Sequence, residues 1–118
     1  MSDCVFCKIV AGGIPCKKVY EDDDIFAFHD IHPVAPVHFM VIPKQHIASL
    51  AEADASHAAL LGKLFSKLGE LARGQGLKDG FRTIVNTGRV GQQEVYHLHV
   101  HVIGGPDRLG PMIVKHKE

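Results

Sequence analysis

Three observations make an α+β domain the fold class that this sequence predicts. Short segments rich in aromatic and β-branched residues recur along the chain, each bounded by Gly, Pro or acidic turns. One longer stretch, residues 54–74, instead repeats its apolar residues every three or four positions. Near the end, residues 96–105 read YHLHVHVIGG, with His97, His99 and His101 alternating with Leu98, Val100 and Val102. At 118 residues and 46% hydrophobic content the chain is the size of one ordinary domain with a real core, so residues 1–118 are read as a single unit.

In order, the N-terminal segment has room for one or two helical turns before Gly12, Gly13 and Pro15 break it. Residues 17–20 read as a short strand, and the acidic run 21–24 as a solvated turn. IFAF at 25–28 is a second strand, and HFMVI at 38–42, after Pro33 and Pro36 and before Pro43, a third. These three suggest an antiparallel meander. In 54–74 the positions Leu60, Leu61, Leu64, Phe65, Leu68, Leu71 and Ala72 form one stripe of a long helix. Asp54 or Ser56 can cap its start, and Gly74 and Gly76 release its end. FRTIV at 81–85 and the stretch 96–103 are two further strands, separated by a Gly-containing loop, 86–94.

Lys plus Arg (13) balances Asp plus Glu (13), so no long-range field favours nucleic acid or an anionic membrane, and any phosphate recognition must be local. No apolar run approaches the roughly 20 residues that span a bilayer, and MSDCVFCKIV lacks a signal-peptide pattern, so a cytoplasmic protein is expected. Three cysteines suit a disulfide framework poorly, whereas Cys4-x-x-Cys7 suits metal binding or redox work in a reducing compartment.

Along an extended strand the three histidines share one face and Leu98, Val100 and Val102 share the other, against the helix. Two functions fit such a face. His-x-His is a pair of transition-metal ligands that needs a third ligand and an open position for water. Alternatively an imidazole attacks phosphorus and forms a covalent intermediate, with its neighbours fixing the tautomer, holding phosphate oxygens and serving the leaving group. Asn86 and the backbone of loop 86–94 can cradle a phosphate without net positive charge, which favours the second function. His32, His57 and His116 are read as ordinary surface or core residues.

FCKIVAGGIPCKKVYEDD, AFHDIHPVAPVHFMVIPKQHI, GLKDGFRTIVNTG and EVYHLHVHVIGG, in that order, resemble the histidine triad proteins, and most of all their nucleotide-binding branch. The resemblance covers nearly the whole chain. It implies an α+β fold with a five-stranded antiparallel sheet, one long helix and a short N-terminal helix, a homodimer, and hydrolysis of purine nucleoside phosphoramidates or aminoacyl adenylates without a catalytic metal. By position it implies His99 as nucleophile, His101 at the phosphate and leaving group, and His97 as the residue orienting the array. Asp30 is then the ribose ligand, and Phe6, Ile9, Phe28, His29 and Ile31 lie around the base. Asn86 with the backbone of Gln93, Glu94 and Val95 forms the phosphate cradle. It also implies a structural zinc held by Cys4, Cys7, His46 and His97, and it leaves Cys16 without a role. Glu94 stands where animal-type members carry serine, which points to cationic leaving groups, and the tail from Leu109 lacks the tryptophan of some members. A metal-dependent hydrolase and a nucleotide-binding regulatory module of low turnover are the alternative functions.

Overall fold

The computed structural model describes residues 3–113. Helix α1 (Val5–Val10) precedes three strands, β1 (Lys18–Glu21), β2 (Ile25–His29) and β3 (Val37–Pro43). Two short 3₁₀ turns lead into helix α2 (Ala58–Gly74), and β4 (Arg82–Ile84) and β5 (Val100–Gly104) follow. The five strands form one sheet in the order β1-β2-β3-β5-β4, each pair antiparallel. The expected α+β architecture is therefore the observed one. No helix among the described residues is long and apolar enough to cross a membrane.

Period-two alternation divides the core into two layers. Ile25, Ala27, Phe39, Val41, Val100 and Val102 face α2, where Leu64, Leu68, Leu71 and Ala72 close over them. The residues between them, Phe26, Phe28, Met40 and Ile42, face the other way and pack with Phe6 and Ile9 of α1. His38 on β3 and His101 on β5 belong by alternation to this second face. The sheet thus turns its aliphatic side to the long helix and its aromatic and histidine side to the short one. Gly104 ends β5 beneath Leu77, whose Cδ2 would lie 2.9 Å from any added Cβ.

Four expectations are corrected in detail. The last strand begins at Val100, so residues 96–99 are a lead-in, secured where the Leu98 N–H donates to the Ile47 carbonyl (2.7 Å). The long helix begins at Ala58, because Asp54 caps a 3₁₀ turn that His57 closes as the reciprocal member of a capping box. Phe65 is 44% exposed, so the buried stripe is narrower than the apolar pattern suggested. The acidic run is an organised corner: Asp22 accepts the Asp24 and Ile25 N–H groups and the Tyr20 hydroxyl. Burial opposes ionisation there, but those donors and Lys63 outweigh it and hold Asp22 at about 2.

Candidate active site

Backbone geometry gives the alternating histidines different partners. His97 is fully buried, and its Nε2–H donates to the Pro43 carbonyl (2.7 Å), which turns Nδ1 towards the N-terminal cysteines. The His99 Nδ1–H donates to the carbonyl of His97 (2.8 Å), which leaves the lone pair on Nε2. The His99 ring stands edge-on to Phe6 (5.1 Å between centroids) and to His101 (4.9 Å).

His101 is paired with a residue that sequence reasoning missed. The Val34 N–H donates to Nδ1 of buried His38 (3.1 Å), so the His38 proton sits on Nε2. That nitrogen lies 2.9 Å from His101 Nδ1 and 3.4 Å from Asp30 Oδ2. His101 therefore accepts at Nδ1 and carries its own proton on Nε2. Burial, then the neighbouring rings of His99 and His38, push His101 down to about 4 against the pull of Asp30. Burial also lowers His38, again opposed by Asp30. One signal for His38 was available: HFMVI places it on the same strand face as Met40 and Ile42.

A cleft of about 360 Å³ opens beside these rings. Phe6, Ile9, Phe28 and Met40 are its buried apolar surfaces, and His99 and His101 both border it. Of the residues expected around a nucleotide, His29, Asp30, Ile31, Asn86, Glu94 and Val95 line it as well. Ile31 is 85% exposed and so forms a rim instead of a core contact. Asp30 also supports its own turn, since Oδ1 accepts the His32 N–H (2.7 Å). Cys16, for which the sequence suggested no role, lines the cleft too. His32 is exposed and His57 caps a turn, as their ordinary reading had it, while His116 lies outside the described residues.

The expectation for Gln93 concerns its backbone, and its side chain serves the fold. Its side chain is buried: Oε1 accepts the Gly88 N–H, and Nε2 donates to the carbonyls of Ala48 and Val95. It braces loop 86–94, and the Gln92 side of the loop borders the cleft. The bend there puts Gln92 at φ 61° and brings Gly91 against Thr87, where a Cβ would lie 2.6 Å from the Thr87 carbonyl oxygen.

Cys4, Cys7, His46 and His97 converge at the N-terminal end of α1. His97 Nδ1 lies 3.3 Å from Cys4 Sγ, 3.5 Å from Cys7 Sγ and 3.2 Å from His46 Nδ1, and Cys7 Sγ lies 3.5 Å from His46 Nδ1. Tetrahedral zinc with nitrogen and sulfur ligands needs edges of about 3.3–3.8 Å, so the donor set fits that ion. The carbonyl bond at His97 Nε2 is the outer support that a metal-bound imidazole requires. Asp30, His38 and His101 also lie close together. The Val34 bond, however, keeps a proton on the His38 nitrogen that would have to bind a metal, and hydrogen bonding accounts for that trio.

Residues 3–113 match the family described as scavenger mRNA decapping enzyme C-terminal binding. The chain is 52% identical over 106 residues to protein HitA of Neisseria gonorrhoeae, covering 90% of this chain and 99% of that one. It is 53% identical over 103 residues to a HIT-like protein of Synechococcus elongatus, covering 87% and 90%. Among solved structures, a HIT family hydrolase from Clostridium thermocellum superposes with a TM-score of 0.90 at 41% identity, covering 97% of this chain and 99% of that one. A HIT family hydrolase from Legionella pneumophila gives 0.87 at 42%, covering 92% and 98%. With the fold, the ordered histidines and these relatives in agreement, the chain belongs to the histidine triad family.

Proposed function

We propose that the protein is a nucleoside phosphoramidate hydrolase of the nucleotide-binding branch, acting through a nucleotidyl-histidine intermediate at His99. The observation that carries this reading is the tautomer of His99. With Nδ1–H engaged by the His97 carbonyl, a neutral ring presents its Nε2 lone pair beside an apolar cleft of nucleotide size. Two structural relatives described as hydrolases support hydrolytic chemistry in general.

In the proposed cycle, a purine lies among Phe6, Ile9, Phe28 and the Ile31 rim, with His29 beside it, and the ribose hydroxyls bond to Asp30. Asn86 and the backbone from Gln93 to Val95 receive phosphate oxygens. His101 Nε2–H donates to the phosphate, whose negative charge offsets the desolvation of His101 and raises its proton affinity. His99 Nε2 bonds to phosphorus in line with the departing nitrogen. The P–N bond breaks with its electron pair going to the amine, which takes up a proton from solvent in the cleft beside His101. Water then cleaves the phosphorus–imidazole bond and releases the nucleoside monophosphate and neutral His99.

Zinc at Cys4, Cys7, His46 and His97 would be structural in this scheme. Four protein ligands close its coordination, and its chemistry would be to join α1 to the lead-in of β5. That closed set favours phosphoramidate hydrolysis at His99 over a metal-dependent hydrolase. A homodimer fits the half-exposed Phe65 on α2 and the edge position of β4. The test of the activity is turnover of adenosine 5′-phosphoramidate. His99→Ala should abolish it while leaving the monophosphate bound, and substantial hydrolysis by that variant would defeat the proposal.

A further inference from the structure

A second concavity, of about 510 Å³, adjoins the cleft; Asp3, Val5, His46, Glu94, Val95 and Tyr96 are among its lining residues. Val5, Glu94 and Val95 line both spaces, so the two are neighbours across a shared wall. We infer that this groove receives the leaving group, and that Glu94 on the shared wall selects amines bearing a second, positive charge. This rests on the phosphoramidase reading and adds to it a substrate class and a specificity-determining residue.

In-line attack by His99 puts the departing nitrogen on the far side of phosphorus. The base and ribose take the Phe6–Phe28 surfaces and the Asp30 end, so the remaining substituent follows the wall formed by Gln92, Glu94 and Val95. Beyond that wall, charge decides. Glu94 and Asp3 are exposed, and among the described residues no Lys, Arg or His forms an ion pair with either. If Cys4 and Cys7 bind a divalent ion as thiolates, the metal and its ligands carry no net charge. The groove is then negative by the two carboxylates. Tyr96, 48% exposed, adds an aromatic face suited to an ammonium or guanidinium group. A carboxylate on this wall disfavours anionic leaving groups and does little for neutral ones, whereas it attracts a cation at the end of a short alkyl chain.

The test uses two adenosine 5′-phosphoramidates of matched length, one made from 1,5-diaminopentane and one from hexylamine. The intact protein should show a kcat/KM about three- to fivefold higher for the diamine substrate, the range expected of one solvent-exposed charge pair. In Glu94→Gln, which keeps shape and removes charge, the ratio should approach one; Asp3→Asn should lower it less, and high salt should lower it in the intact protein. Equal rates in the intact protein, or an unchanged ratio in Glu94→Gln, would overturn the inference and leave the phosphoramidase reading standing. Absence of turnover of both substrates would overturn both.

Discussion

Removing the Phe6 ring is predicted to damage stability and nucleotide affinity together, because one side chain serves the core and the cleft. Phe6 is 5% exposed and meets Phe28 at 5.3 Å, His99 at 5.1 Å and His97 at 6.1 Å between centroids, all edge-on. Truncating a core phenylalanine costs about 3–5 kcal/mol. Water can enter the vacated space from the cleft, so the lower end applies and Phe6→Ala should lose about 3 kcal/mol. Base–aromatic contacts of this kind are worth about 1–3 kcal/mol, so adenosine monophosphate should also bind about tenfold more weakly. Phe6→Leu separates the two effects: it refills most of the volume, costing about 1 kcal/mol, but offers the base no ring. Urea unfolding and titration calorimetry read these quantities independently. A Phe6→Ala variant within 1 kcal/mol of the original, or with undiminished nucleotide affinity, would refute the reasoning.

Acid should weaken the fold through His101. An unfolded imidazole titrates near 6.5 and the folded His101 at about 4, so the unfolded chain takes up the proton first. This contribution to stability is complete above about pH 6.5 and is lost as the pH falls towards 4, by about 3 kcal/mol. His101→Gln should make that part of the stability–pH curve shallower, and an unchanged slope would contradict the assignment. Asp22, held at about 2, contributes above its ordinary 3.8 and loses that contribution as the pH falls through 2. Allowing for screening at a partly exposed site, Asp22→Asn should cost about 1 kcal/mol at pH 7 and almost nothing at pH 2, as denaturation at the two pH values would reveal. Metal analysis should find one zinc per chain, absent from Cys4→Ser. A metal present at a hundredfold its Kd contributes about 2.7 kcal/mol, so chelation should lower Tm by about 10 °C with hydrolysis largely retained. Complete loss of activity with the fold intact would instead indicate a metal-dependent hydrolase.

Fold class and the outline of the cleft were legible in the sequence because both follow from local periodicity and short motifs. Alternation in IFAFH and HFMVI sorts side chains between two layers, and the heptad-like stripe of 58–74 supplies the cover for one of them. What local pattern could not express was pairing across the sheet. His38 stands 63 residues from His101, and only the β3–β5 register brings them together. The inward turn of the Gln93 side chain was illegible for a related reason: its partners are the carbonyl of Ala48 and the loop's own backbone, and nothing local distinguishes an inward glutamine from an outward one. The strand start failed because His97 and His99 spend ring and backbone groups on Pro43, on the cysteines and on each other, leaving no ladder to extend. Phe65 fits the helical period but lies at the edge of the stripe, beyond reach of the sheet.

The proposed chemistry depends on His99 as a covalent nucleophile. Mixing the protein with adenosine 5′-phosphoramidate, quenching within the first turnovers and mapping the peptides by mass spectrometry tests that directly. The prediction is an adenylyl group on the peptide containing residues 97–101, localised to His99 and absent from His99→Ala. Turnover that leaves no adduct on His99, or an adduct on another residue that survives His99→Ala, would contradict it.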